Sequence, residues 1–381
     1  MRKKVILIIF LAMIAISSAF LFYNQAVGNY PGDLFTHIST AISDGMNENK
    51  YSITNVIYNF LYTYCGKEYG IAIFLSLVTV ANIIITKKVL EYYMDSDKDV
   101  LMWIFAFLLN FNVAIFIPWI SGKWVVGVQS ANPWHNSTYI CMKGLGLVSL
   151  LLFFKMKETY LEKIELKKYI LFALLLSITN AIKPNFIMVF APAMAIYLLI
   201  DFIANIKNIK SIRNIFIFGS AVLISLLVLV YQSIVLFQNS ASDGSGIEIG
   251  WFTFISYWHK YPLISILQST LFPLFILLTN FKTIKKDIRY SFVLVMHFVG
   301  LMEYCFLNET GLRIHDGNFS WGYSFALFMS FLGALSILDK SRTEERKHKK
   351  LYLCVGYGLF AIHTLLGIIY YFRVLTGHPY A

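Results

Sequence analysis

Residues 169–203 read YILFALLLSITNAIKPNFIMVFAPAMAIYLLIDFI. Two apolar runs, 169–182 and 186–203, flank Lys183-Pro184-Asn185, and each approaches the ~20 residues that a helix needs to cross the hydrocarbon of a bilayer. Proline lacks a backbone donor and disfavours helix at the residue before it, so the chain is expected to turn at Ala181-Ile182-Lys183-Pro184-Asn185. One kinked helix of more than thirty residues would be too long for a bilayer and would upset the alternation of the flanking basic connections.

Outward from this hairpin the pattern repeats. Apolar windows occur at 5–23, 69–86, 100–119, 138–154, 214–237, 263–281, 290–307, 321–338 and 351–372, which with the first two makes about eleven spans of an all-α, polytopic membrane protein. The composition agrees: 58% of the residues are hydrophobic and 14% charged, too few charges to cover a surface facing water. A net charge of +11 raises the question of nucleic acid, but the basic residues fall in short clusters between apolar runs and form no single stripe. With the N-terminus in the cytoplasm, residues 1–4 and the connections 87–99, 155–168, 204–213, 282–289 and 339–350 hold 24 of the 32 Lys and Arg. Cytoplasmic connections keep such an excess because positive loops resist translocation; the C-terminus is then outside.

The start, Arg2-Lys3-Lys4 followed by nearly twenty apolar residues, is longer than the apolar core of a cleaved signal peptide, and a retained span is expected. Cys65, Cys141, Cys305 and Cys354 have no ligand spacing, so they are read as packing residues. No fixed-period repeat or soluble domain is visible, and residues 1–381 are read as one transmembrane domain. The Ile, Lys and Asn content fits a bacterial plasma membrane.

Chemistry must then lie in the outer connections. In the first, Pro31-Gly32 supplies a turn before Asp33-Leu-Phe-Thr-His37, the start of an expected amphipathic interfacial helix that puts Asp33 and His37 on one face. A carboxylate and an imidazole so placed can jointly hold a hydroxyl and its proton; Asp33 also suits a plain helix cap. The second connection holds Trp134-His135, an aromatic and an imidazole suited to a sugar ring, or an ordinary aromatic belt. Asn136-Ser-Thr138, Asn308-Glu-Thr310 and Asn318-Phe-Ser320 match the glycosylation pattern, which matters only in a eukaryotic cell. Lys183 is the one cation at the hairpin tip, placed either to snorkel to lipid phosphate as ordinary helix-end lysines do or to bind the phosphate of a lipid-linked substrate. Near the C-terminal end, Glu303 lies within a span and Glu309, Arg313, His315 and Asp316 crowd a short turn; Arg suits bidentate phosphate capture. The stretch Ser240 to Gly246 reads as an ordinary loop, with a mobile lid over an entry groove as the alternative.

Asp33 in the first outer loop, Lys183-Pro184 at an outer turn between short spans, and the later polar loop with Arg313 resemble the GT-C class of multi-span glycosyltransferases, which take sugars from polyprenyl-phosphate carriers. The resemblance covers most of the chain as architecture and a few short stretches as motif, and the soluble C-terminal domain of some members is missing. It implies inverting sugar transfer to an acceptor hydroxyl of a glycan or lipid on the outer face. Asp33 would be the general base, Lys183 and Arg313 would stabilise the phosphate, and His37 or His315 would orient the acceptor, with Glu309, Trp134 and His135 lining the substrate. Some members need a divalent metal; no acidic ligand pair accompanies Asp33, and none is expected here, nor any other cofactor. The alternatives are a transporter or flippase of a lipid-linked glycan, for which Glu303, His297 and His363 are the ionisable groups nearest midspan, and an outer-face glycan polymerase.

Overall fold

A computed structural model of the protein describes residues 2–43, 52–94, 99–236, 244 and 246–379; the loop expected from Ser240 to Gly246 lies largely outside them. The elements in chain order are α1 (Arg2–Ala26), α2 (Leu34–Ser43), α3 (Ile53–Tyr64), α4 (Glu68–Met94), α5 (Asp99–Phe111), α6 (Pro118–Ser121), α7 (Ser137–Lys157), α8 (Leu166–Ile182), α9 (Asn185–Ala204), α10 (Ile209–Ser220), α11 (Leu223–Leu236), β1 (Ile247–Ile249), α12 (Thr253–Trp258), α13 (Pro262–Lys286), α14 (Ile288–Phe306), β2 (Leu307–Glu309), α15 (Ser320–Lys340) and α16 (Lys349–Leu375). Among the described residues nine segments are long and apolar enough to cross a membrane, α10 and α11 counting as one. The protein is therefore all-α and multi-pass in character. Two of the expected spans are shorter: α8 has 17 residues and α5 has 13.

The proline turn forms as the residues dictate. Lys183 takes an extended conformation ahead of Pro184 while its amide still donates to the Thr179 carbonyl, which closes α8, and α9 restarts at Asn185. At the centre of the bundle α15 is apolar all round, and 94% of its most apolar window is buried, as expected of a helix surrounded by others. The N-terminal helix is tied into the bundle, with the Ser76 hydroxyl donating to the Ala15 carbonyl at 2.7 Å and Ser17 and Tyr371 sharing a hydrogen bond at 2.7 Å. The only strand pair among the described residues joins β1 to β2, antiparallel, with Glu248 opposite Asn308.

The window 100–119 does not form one helix. α5 stops at Phe111 and the chain runs irregularly to Ile117, because its backbone groups find partners elsewhere. The Val113 amide donates to the His363 carbonyl (3.3 Å), the Ala114 amide to the Ser130 hydroxyl (3.0 Å) and the Ile115 amide to the Gln268 carbonyl (2.9 Å). The His363 ring donates in turn to the Val113 carbonyl (2.7 Å), and the Asn132 carboxamide to the Leu109 and Asn112 carbonyls (2.8 Å each). Broken helices survive at membrane depth only where protein supplies such partners. Gly367 makes the approach possible, since a Cβ there would overlap the Phe111 carbonyl.

Four chain junctions meet at one end of the bundle: α1 to α2, the start of α7, α8 to α9, and β2 to α15. Hydrogen bonds join them, from Ser137 to Asp33, from Lys183 to Thr138, and from the Asn185 carboxamide to the Asn318 carbonyl. Elsewhere, at the α4–α14 contact, Arg289 donates to the Tyr92 carbonyl at 2.9 Å and pairs with Asp287.

Candidate functional site

The focal point is the N-terminus of α7. Asn136 caps it, its side-chain oxygen accepting from the Tyr139 amide at 2.8 Å, so this residue of the glycosylation pattern is a buried helix cap. The next two residues each receive a charged group from a different element. Asp33 Oδ1 accepts from the Ser137 amide (3.0 Å) and hydroxyl (3.2 Å), and the Asp33 amide donates to the His135 carbonyl (3.1 Å). Lys183 Nζ donates to the Thr138 hydroxyl at 2.9 Å. A carboxylate is at home beside the free amides and positive dipole end of a helix.

Asp33 precedes α2 and its carbonyl accepts from the His37 amide (3.0 Å), while His37 Nε2 faces Asp33 Oδ2 at 3.5 Å. The expected pair thus exists on one face of a short amphipathic helix, whose Leu34, Ile38 and Ala41 are buried. Burial by itself would raise the Asp33 carboxyl, but His37, the Ser137 amide and Lys183 outweigh it and hold the group below the usual carboxylate range. About a quarter (26%) of its side chain stays exposed, so the carboxylate is ionised and reachable. Beneath it the Tyr58 ring is fully buried on α3, with its hydroxyl beside Ser137 and Cys141 and pushed well above its ordinary range by burial.

Lys183 is 91% buried, being 9% exposed, and burial pulls its ammonium down to about 8 against the opposing pull of Asp33 and Glu309. Among the described residues no carboxylate comes within ion-pairing distance of it. The Trp321 ring centroid lies 5.5 Å from it and 5.8 Å from the His135 ring.

The later polar loop lies within electrostatic reach of Lys183, yet its cation is engaged. Arg313 Nε donates to Glu309 at 2.8 Å and its guanidinium meets Asp316 at 3.2 Å. Buried Glu309 also accepts from the Asn318 carboxamide at 2.9 Å. Arg313 therefore sits between two carboxylates, which leaves Lys183 the better placed of the two for an incoming anion. His315 is exposed, with its ring 4.0 Å from that of Tyr257, and the histidine that Asp33 faces is His37. Nor does Trp134 face outward: residues 127–144 are buried without a break, and Trp134 packs 4.5 Å from the Tyr371 ring and 5.6 Å from Phe111. His135 next to it shares a hydrogen bond with the Tyr370 hydroxyl (2.9 Å), and burial lowers it to about 4; it is neutral and contributes its backbone carbonyl to Asp33. Among the described residues no three His, Cys, Asp or Glu side chains cluster as ligands for a metal.

Four participants escaped the reading of the residues. Ser137 and Thr138 were visible only as a glycosylation pattern, and Trp321 only as part of a polar turn. The fourth, Lys143, lies in the second turn of α7, is 4% exposed, and donates to the carboxamide oxygens of Asn110 (2.8 Å) and Asn132 (2.5 Å) with the Phe328 ring 3.8 Å away. A lone lysine inside an apolar window was its signal. Compared with known proteins, the chain matches no family model and no curated protein.

Proposed function

We propose that this chain is a membrane glycosyltransferase that moves a sugar from a polyprenyl-phosphate carrier to an acceptor hydroxyl of a glycan or lipid at the outer face. The observation that carries the reading is the meeting of an ionised carboxylate and a buried ammonium on consecutive residues of one helix start, Asp33 on Ser137 and Lys183 on Thr138. Asp33 takes the acceptor proton as that oxygen bonds to the anomeric carbon; the bond from this carbon to the phosphate oxygen breaks on the opposite face, and Lys183 receives the leaving phosphate. His37 orients the acceptor beside Asp33, and Trp321 offers a ring to the sugar. The remaining part of the proposal is topological. Counting α5 and α8 as crossings gives eleven spans, a cytoplasmic N-terminus, an exterior C-terminus and the four junctions on the exterior, with a bacterial plasma membrane as the setting.

The test is a transfer assay with purified protein, a polyprenyl-phosphate sugar and a mixture of acceptors. Product is expected from the wild type and, with Asp33→Asn, a loss of about 10²–10⁴-fold at unchanged thermal stability; undiminished transfer by the variant would remove Asp33 as base. A second reading, transport of a lipid-linked glycan, is favoured by Lys143 beside the broken helix α5, an ionisable group and an interrupted helix of the kind transporters use. Glycan crossing a liposome with no new glycosidic bond would decide for it.

A further inference from the structure

A second feature on the same end of the molecule is not used by Asp33 or Lys183. Between α9, α14 and β1 runs a groove of ≈ 460 Å³ lined by Ile196, Ile249, Val295, Val299, Met302 and Glu303 with neighbouring apolar residues. It extends from Val295 to Leu307, ~17 Å along α14, and its rim residues Ile196, Phe298, Met302 and Ile249 are exposed, so it opens sideways on the side where lipid would lie. Its one ionisable member is Glu303, 91% buried (9% exposed), whose Oε2 has no hydrogen-bond partner. A Cβ at position 322 would come within 3.0 Å of Glu303 Oε2 and 2.9 Å of the Asn185 carbonyl. Gly322 thus lets α15 pack directly against Glu303, Val189 and the Asn185 carbonyl, so Oε2 is covered on that side and receives no hydrogen bond there.

An unpartnered buried carboxyl is costly in apolar surroundings, and a plain hydrocarbon chain filling the groove would leave it so. A phosphate fits no better. The groove's lining side chains offer no cation and no N–H donor, and a phosphate charge buried beside a carboxyl would be uncompensated. A hydroxyl satisfies Glu303 in either of its protonation states, since it both donates and accepts.

We propose that this groove binds a neutral lipid, its hydrocarbon chain along α14 and its hydroxyl on Glu303.

The experiment uses the full chain in phosphatidylglycerol nanodiscs with a diazirine-bearing monoacylglycerol, and a matched probe in which the hydroxyls are methylated. Cross-links are mapped to peptides. The hydroxylated probe is expected to label the segment 295–307 about tenfold more than the methylated one, the worth of one hydrogen bond to a buried group. Glu303→Leu is expected to erase that preference, Val299→Trp to abolish labelling by both probes, and diacylglycerol to compete where phosphatidate and polyprenyl phosphate do not. Equal labelling of the wild type by the two probes, or competition by polyprenyl phosphate as strong as by diacylglycerol, would overturn the proposal, and that comparison needs no variant to fold. Asp33→Asn is expected to label as the wild type does, so failure of sugar transfer and failure of lipid binding are read separately.

Discussion

Lys183 is the residue whose environment has the clearest consequence. Its ammonium, lowered to about 8 by burial, is charged below that pH and neutral above it, so a phosphate it receives is held less well as the pH rises through 8. Transfer is expected to fall along an alkaline limb near pH 8, and Lys183→Arg, which stays charged to far higher pH, is expected to move that limb upward while lowering the maximal rate. A limb unmoved by the substitution would dissociate Lys183 from the leaving group. Trp321 and Trp134 part company at the same scale. Trp321→Ala is expected to raise KM about tenfold, with kcat less affected and Phe restoring most of the loss, the pattern of a stacking platform. Trp134→Ala, which empties a space between Phe111 and Tyr371, is expected to cost ~3–5 kcal/mol of stability in a denaturation measurement. The two tryptophans look alike in the sequence, each beside polar residues and a turn. What separates them is that the whole of 127–144 is drawn into the bundle, and nothing local to Trp134 announces it.

Among the elements, α5 and the segment after it carry the strongest lesson. An apolar window of twenty residues predicts a span, and the residues 112–117 are as apolar as many helices. They leave the helix because His363, Gln268, Ser130 and Asn132, all distant in the chain, supply their hydrogen bonds. Such partners are invisible to a window. The turn at Lys183-Pro184 was legible, by contrast, since proline acts on its own neighbours; so was the start of α2 at Pro31-Gly32, and with it the Asp33–His37 pair. Lys143 was hidden by the strength of its surroundings, one charge among apolar residues in 138–154. Close packing of α16 on the end of α5 gives a prediction at this scale. Gly367→Ala places a methyl group against the Phe111 carbonyl and is expected to destabilise the protein by ~1–3 kcal/mol, whereas Gly358→Ala on the same helix, where a Cβ meets open space, is expected to be neutral or slightly stabilising. Equal stability of the two variants would mean that the two helices do not approach as described.

For the molecule as a whole, the apolar runs carried most of the architecture, because a bilayer imposes length on any helix that crosses it. The candidate site required something more, the convergence of junctions far apart in sequence, Asp33 with Ser137 across 104 residues and Lys183 with Thr138 across 45. That convergence constrains the path as well: Asp33 and Ser137 share one end, so the chain that leaves it along α4 comes back before α7 begins. All of the proposed chemistry then stands or falls on one side of the membrane. Cys65 reports that side directly, being an exposed free thiol at the end of α3, the helix whose N-cap Ser52 donates to the Ile182 carbonyl beside the Lys183 turn. In intact cells a membrane-impermeant maleimide is expected to label the wild type and to lose that label in Cys65→Ser. Labelling of Cys65 only after the cells are opened would place the carboxylate, the ammonium and the groove on the cytoplasmic face and contradict the account.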